Sequence, residues 1–341
     1  MRDFHCRNCG QQLSFENTVC LSCGAFLGFH LPSRTMQVLD ENEVGALDGV
    51  TLIRCANNIP AVCNWLIEQG EGLASLCESC RLTRTRPADS DVKAMEDFAE
   101  AELAKRRVIF ELDELNLPIF GKDADPQHGL AFDLLSSAVQ PVTTGHADGV
   151  ITLDLAEGDD VHREELRVSM DEPYRTLIGH FRHEIGHFYQ MVLVGAGANL
   201  QRYEELFGDP NVSYSDALDR HYNQGPPDGW EESYVSSYAT MHPMEDWAET
   251  FAHYLHIRDT LDTAAAFALA PSGATLEADL PGQVGFDRII EWWLPLTWAL
   301  NQINRSMGHQ DLYPFVLAQP VLDKMEFIHE LITAEDRAGA T

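Results

Sequence analysis

A chain of 341 residues has room for two domains with a sizeable core, and its 45% apolar content is that of an ordinary globular protein. The formal net charge of −31 is unevenly spread: residues 1–90 hold 7 of the 23 basic and 10 of the 54 acidic residues, which leaves −28 on residues 91–341. Such a field disfavours nucleic acid and anionic membrane as partners, and no apolar run approaches the roughly 18 residues of a membrane span. The N-terminus, Met-Arg-Asp-Phe-His-Cys, has no apolar signal region, so a cytoplasmic protein without an anchor is expected.

All eight cysteines fall in the first 80 residues. Cys6, Cys9, Cys20 and Cys23 read C-x2-C-x10-C-x2-C, with Gly10 and Gly24 directly after each pair to let the chain turn until its amides face the sulfurs. Cys55, Cys63, Cys77 and Cys80 form a looser second set. Disulfides are disfavoured by the expected compartment and by the C-x2-C knuckles. Two closed, tetrahedral zinc sites of four cysteines each account for the whole count; an interleaved assignment of the two sets is the alternative. Phe26–Phe29 and Met36–Leu39 read as short strands of a ribbon. A polar connection over residues 82–92 then places a domain boundary between residues 1–88 and 89–341.

The pattern Met95, Phe98, Ala99, Leu103, Val108 predicts a helix over Val92–Glu114, capped by Asp89 or Ser90. Gly129–Leu134 and Gly149–Leu155 read as strands, and the second is a candidate edge strand for pairing with an extended substrate. Further on, short helices are expected near Leu200–Phe207 and Ser215–Tyr222. Longer ones are expected over Glu245–Thr263, Phe286–Ser306 and Val321–Ala334.

His183-Glu184-Ile185-Gly186-His187 is an H-E-x-x-H motif on a helix expected to start at Pro173, with Asp171 and Glu172 beside the positive end of its dipole. Histidines four apart lie one above the other on one face and can reach a single metal ion. Glu184 points about 100° away, in reach of a metal-activated water. Catalytic zinc sites use three protein ligands. The metzincin extension is excluded, because Gln190 and Leu193 stand where it requires Gly and His. The third ligand is therefore sought on the helix that follows Pro243. Glu245, Glu249, Asp246 and His253 are the candidates in falling order, and Glu249 is also placed to accept the spare N–H of a ligand histidine. His180 and His242 are read as structural neighbours of the site.

These motifs resemble the bacterial zinc-binding metallopeptidases that carry an N-terminal cysteine-rich zinc ribbon. The resemblance spans nearly the whole chain. It rests on the cysteine set, Asn64-Trp65-Leu66, Glu172-Pro173-Tyr174-Arg175-Thr176-Leu177, the H-E-x-x-H stretch, Glu245-Asp246-Trp247-Ala248-Glu249 and Asp311-Leu312-Tyr313-Pro314-Phe315. More distantly, the site motifs are similar to the catalytic domain of anthrax lethal factor, a gluzincin peptidase. That similarity implies Glu245 as the third ligand and Tyr238, seven residues earlier, as a catalytic tyrosine that stabilises the oxyanion.

The resemblance implies an α+β chain: a small zinc ribbon, then a zincin-like metallopeptidase domain with a small sheet, an active-site helix and a helical C-terminal lobe. It implies one catalytic and two structural zinc ions, a peptide or protein substrate, and Glu184 as general base. The ribbon would pack on the catalytic domain or bind a protein partner. A competing reading is a zinc-ribbon scaffold with a weakly active or inactive peptidase fold, and a third is hydrolysis of a non-peptide amide. The intact Glu184 argues against a mere scaffold, which needs no general base.

Overall fold

The computed structural model describes residues 1–70, 76–138, 141–158, 176–269 and 285–334. The chain divides into two compact units, Met1–Asp113 with Pro118–Asp160, and Glu114–Leu117 with Val161–Thr341. No helix of the described residues is long and apolar enough to cross a membrane.

In the first unit the cysteine turns interrupt the chain every few residues, so its strands stay short. β1 (Phe4–His5) pairs antiparallel with β2 (Gln12–Leu13), and β3 (Phe26–His30) with β4 (Thr35–Leu39). β5 (Gly45–Leu47), β6 (Val50–Arg54) and β7 (Leu66–Glu68) form a three-stranded antiparallel sheet. Next come β8 (Thr83–Thr85), α1 (Val92–Glu114), β9 (Ala131–Leu135), β10 (Gly145–Ala147) and β11 (Val150–Asp154). The last four strands make one sheet in the order β10-β11-β9-β8, parallel except for β10.

This sheet corrects one expectation. β11 is hydrogen-bonded on both sides, Ile151 lying opposite Phe132 of β9 and His146 of β10, so its backbone is spent and no substrate strand can join it there. The compact units group β8 with β9–β11, since Thr83 of β8 pairs with Phe132 of β9. α1 groups with the ribbon for a second reason. Its Phe110 ring stands 5.3 Å from Phe29 and 5.4 Å from Phe15, in an aromatic cluster that includes Phe4 and Trp65. Such pairs contribute about 0.5–1.5 kcal/mol each beyond burial.

The second unit is helical: α2 (Leu177–Tyr189), α3 (Ala198–Phe207), α4 (Tyr214–Gln224), α5 (Pro243–Ala266), α6 (Phe286–Ser306) and α7 (Gln319–Thr333). The start expected for α2 at Asp171–Pro173 lies outside the described residues. Thr176 caps the described helix, its hydroxyl accepting from the Gly179 amide at 3.1 Å. Every residue from Phe181 to Tyr189 is buried, Arg182, His183, Glu184 and His187 included. The helix then widens into a π-type turn over Gln190–Val194.

α2 and α5 cross in close contact. Gly186 supplies the crossing point: its carbonyl accepts from Trp247 Nε1 at 2.8 Å, and Tyr189 stacks on Phe251 with ring centres 5.5 Å apart. Trp247 sits among Tyr203, Phe207, Phe251 and Phe327, which join α3, α5 and α7 into one core.

Candidate metal centres

The cysteines form two separate quartets, Cys6/Cys9/Cys20/Cys23 and Cys55/Cys63/Cys77/Cys80, without interleaving. All eight are free thiols. The Sγ separations are 3.8 Å for Cys6–Cys23, 3.6 Å for Cys9–Cys20 and 3.7 Å for Cys63–Cys77. A disulfide is about 2.05 Å long. A zinc–sulfur tetrahedron with bonds of about 2.3 Å has edges of about 3.8 Å, and the quartets match that figure.

Local backbone explains the arrangement. Gly10 and Gly24 take φ of 77° and 72° and donate to the Cys6 and Cys20 carbonyls at 2.8 Å, closing each knuckle where a side chain would be strained. In the second quartet the Cys77 amide donates to Cys55 Sγ at 3.3 Å. The two quartets differ in setting: Cys9 and Cys23 are exposed, whereas all four of the second set are buried. Cys80 also lies 3.7 Å from Glu102 Oε2, whose other oxygen accepts from the fully buried Lys105 at 2.6 Å. The hydrophobic pattern of α1 gave no sign of this buried acid–base pair.

The third centre is built by the crossing of α2 and α5. His183 and His187 face the first turn of α5, where Glu245 sits because His242 caps the helix and Pro243 occupies its first turn. Glu245 Oε2 is 3.0 Å from His183 Nε2 and 3.4 Å from His187 Nε2, and all three side chains are buried. Ligand bonds of about 2.0–2.1 Å to a tetrahedral zinc would separate the ligand atoms by roughly 3.3–3.4 Å, so the donor set fits that ion. Glu184 is buried beside them, and its Oε2 has no hydrogen-bond partner among the described residues, a costly arrangement unless a water or substrate group meets it.

Of the four candidates for third ligand, Glu245 alone joins the histidines. Glu249, one turn deeper, accepts from His183 Nδ1 at 2.6 Å and from Ser236 Oγ at 2.6 Å, which orients the His183 ring with its Nε2 toward Glu245. Asp246 is turned away to Lys324 of α7 at 2.7 Å, and the same ammonium donates to the Ser233 carbonyl at 2.8 Å. His253 bonds the Tyr313 hydroxyl at 2.9 Å. His242 is structural, accepting from the Met244 amide at 3.1 Å and donating from Nε2 to the Val212 carbonyl at 3.1 Å. His180 lies outside the ligand group.

The electrostatics follow from this packing. Burial disfavours a charged His183, but Glu245 and Glu249 flank its ring and hold it well above its ordinary value. Burial likewise opposes ionised carboxylates, yet His187 and His183 keep Glu245 far below the usual range, and His183 takes Glu249 down to about 2. Tyr238 stands with its ring centre 6.1 Å from that of His183. Burial and then the charge of Glu245 push its phenol strongly upward, so it remains a neutral hydrogen-bond donor.

Tyr214, Ser236 and Lys324 escaped the sequence reading. Only Lys324 carried a signal: it lies on the Val321–Ile328 face of an apolar helix, where a lysine needs a partner. The Asp311–Phe315 motif has a structural explanation. Asn301 donates to the Tyr313 carbonyl at 2.9 Å and accepts from its amide at 3.0 Å, while Arg305 grips Asp311 at 2.5 and 2.7 Å.

Comparison with known sequences gives consistent matches. The model of a family described as "Putative zinc-binding metallo-peptidase" matches residues 94–331, and that of a zinc-ribbon domain matches residues 3–91. The chain is 61% identical over 333 residues to Uncharacterized protein Rv2568c of Mycobacterium tuberculosis, a match covering 97% of this chain and 95% of that one. Uncharacterized protein Mb2598c of Mycobacterium bovis matches with the same identity and coverage. No solved structure gives a significant match.

Proposed function

The chain belongs to the zinc-binding metallopeptidase family, and on that premise we propose that it hydrolyses peptide bonds at a centre of the gluzincin type formed by His183, His187 and Glu245. The observation that carries the reading is the convergence of these three buried ligand atoms to within 4.8 Å of one another. The unpartnered Glu184 Oε2 beside them supports it further. The two cysteine quartets are read as structural zinc sites, and eight free thiols suit a reducing compartment such as the cytoplasm.

Zinc, when bound, supplies Lewis acidity and lowers the pKa of water toward neutrality. The chain's own groups do the rest. Glu184 Oε2 takes the proton of the attacking water as its oxygen bonds to the carbonyl carbon, then gives it to the amine nitrogen as the C–N bond breaks. The Tyr238 hydroxyl donates to the oxyanion that develops on the substrate carbonyl. Glu249, held by Ser236, keeps the His183 ring in the tautomer that the donor set requires.

The test is a peptide-library cleavage screen of wild type against Glu184→Gln, with zinc content measured on both. Retained metal with cleavage reduced by about 10²–10⁴ is the expected result. A variant that cleaves as fast as wild type rules out Glu184 as general base. A wild type that binds its zinc yet cleaves nothing favours the scaffold reading.

A further inference from the structure

We infer that Tyr214 is a positioning residue of the histidine–glutamate centre, holding Glu245 to a single ligating oxygen; this rests on the metallopeptidase reading above. The two oxygens of Glu245 have different partners. Oε2 faces both histidines, whereas Oε1 accepts from the Tyr214 hydroxyl at 3.0 Å. A carboxylate at the edge of a metal site can bind through one oxygen or both. Glu245 is only 3% exposed, so without the phenol Oε1 would be left buried and unpaired or would swing onto the ion and raise its coordination number.

The placement of Tyr214 is built into the local chain. It is the first residue of α4, whose cap Ser213 accepts from the Asp216 amide at 3.3 Å. Val212, two residues earlier, accepts from His242, the cap of the ligand-bearing helix α5. The Tyr214 ring packs on that same imidazole, with centres 5.2 Å apart, and Arg220 of α4 donates to the Met241 carbonyl at 3.1 Å. The segment from Val212 to Arg220 therefore grips both the start of α5 and the ligand it carries. His221, on the same helix, stands edge-on to Tyr238 at 5.8 Å and closes the far side.

Tyr214→Phe isolates the hydroxyl. The residue is 42% exposed, so the ring stays and the fold loses little. The experiment uses the full chain with zinc kept in both cysteine quartets and cobalt(II) placed at the histidine–glutamate centre. Its readouts are the visible absorption and the cobalt affinity by competition with a chelator. Tyr214→Phe is expected to weaken the absorption, as a fifth ligand atom does for cobalt, and to lower affinity about tenfold. Its kcat should fall with little change in KM. Tyr238→Phe should lower kcat while leaving the cobalt spectrum as in wild type, which separates metal steering from the oxyanion contact. A Tyr214→Phe protein with wild-type spectrum and affinity overturns the inference and leaves the metallopeptidase reading standing. A wild-type chain that takes up no cobalt beyond its quartets overturns both.

Discussion

Gly186 and Ala248 meet so closely that a Cβ placed on Gly186 would lie 3.1 Å from the Ala248 Cα and 3.2 Å from its carbonyl oxygen. These two residues sit at the crossing of the helices that carry the histidines and Glu245. The glycine inside H-E-x-x-H is therefore a spacer that sets how near the two halves of the centre come. In Gly186→Ala the gain in helix propensity is about 1 kcal/mol, while overpacking against rigid backbone costs about 1–3 kcal/mol. We expect calorimetry to show a lower Tm, by about 2–4 °C per kcal/mol of net loss, together with weaker metal binding. A Tm at or above wild type would show that the crossing tolerates a methyl group.

Glu245 and Glu249 are one turn apart but have different tasks. Glu245→Ala removes a ligand and should abolish metal uptake at this centre. Glu249→Ala leaves all three ligands and removes only the acceptor for His183 Nδ1, so affinity should fall by about 10–100-fold. Equilibrium dialysis against zinc distinguishes them. The assignment is reversed if Glu249→Ala proves the more damaging of the two.

Three ligand groups among the described residues call for three zinc ions, which elemental analysis can count. The centre read as catalytic has three protein ligands and an open position, so a chelator should strip it first and leave the far-UV spectrum unchanged. Removal of zinc from the buried Cys55/Cys63/Cys77/Cys80 set should need denaturant and should melt the first unit. Loss of that ion before the others would contradict this order.

Two buried histidines should lend the second unit a sensitivity to acid. Burial pushes His253 down to about 4 and His256 to about 3, both below the ordinary value of about 6.5 kept by an unfolded chain. The unfolded state thus binds more protons, and the stabilisation present above pH about 6.5 is lost as pH falls toward those values. For the two together the loss between pH 7 and pH 5 is up to about 4 kcal/mol, set against an opposite gain from Asp246 and Asp262, whose carboxyls burial raises to about 7 and about 6. Urea melts at the two pH values measure it. In His253→Gln the stability change between the two pH values should shift by about 2 kcal/mol in favour of acid, and an unchanged value would assign the acid sensitivity to other groups.

The parts of the site legible in the sequence are those fixed by one turn of helix or one knuckle. His183 and His187 share a face because they are four apart. Glu245 and Glu249 share one for the same reason, and Cys-x2-Cys fixes its own geometry. Where the partner is distant, local pattern carried nothing. Tyr214 reaches Glu245 across 31 residues with no marker but a serine cap before it. Alternating residues in Val150–Asp154 look alike in an edge strand and an interior one. The strand that covers it, Gly145–Ala147, has three residues and no apolar pattern. The polar run 82–92 reads as a linker because the three residues of β8 within it are Thr, Arg and Thr, whose pairing with β9 is visible only in three dimensions.

Lys324 reaches back 78 residues to Asp246, at the side of the ligand Glu245. That span has a consequence for the order in which a newly made chain matures. While the ribosome is still adding α6, the helix bearing Glu245 has been synthesised but the ammonium that pairs with its Asp246 has not, so this buried ion pair closes only once α7 is made. A chain ended at residue 318 should fold its ribbon and retain two zinc ions while failing to hold the third.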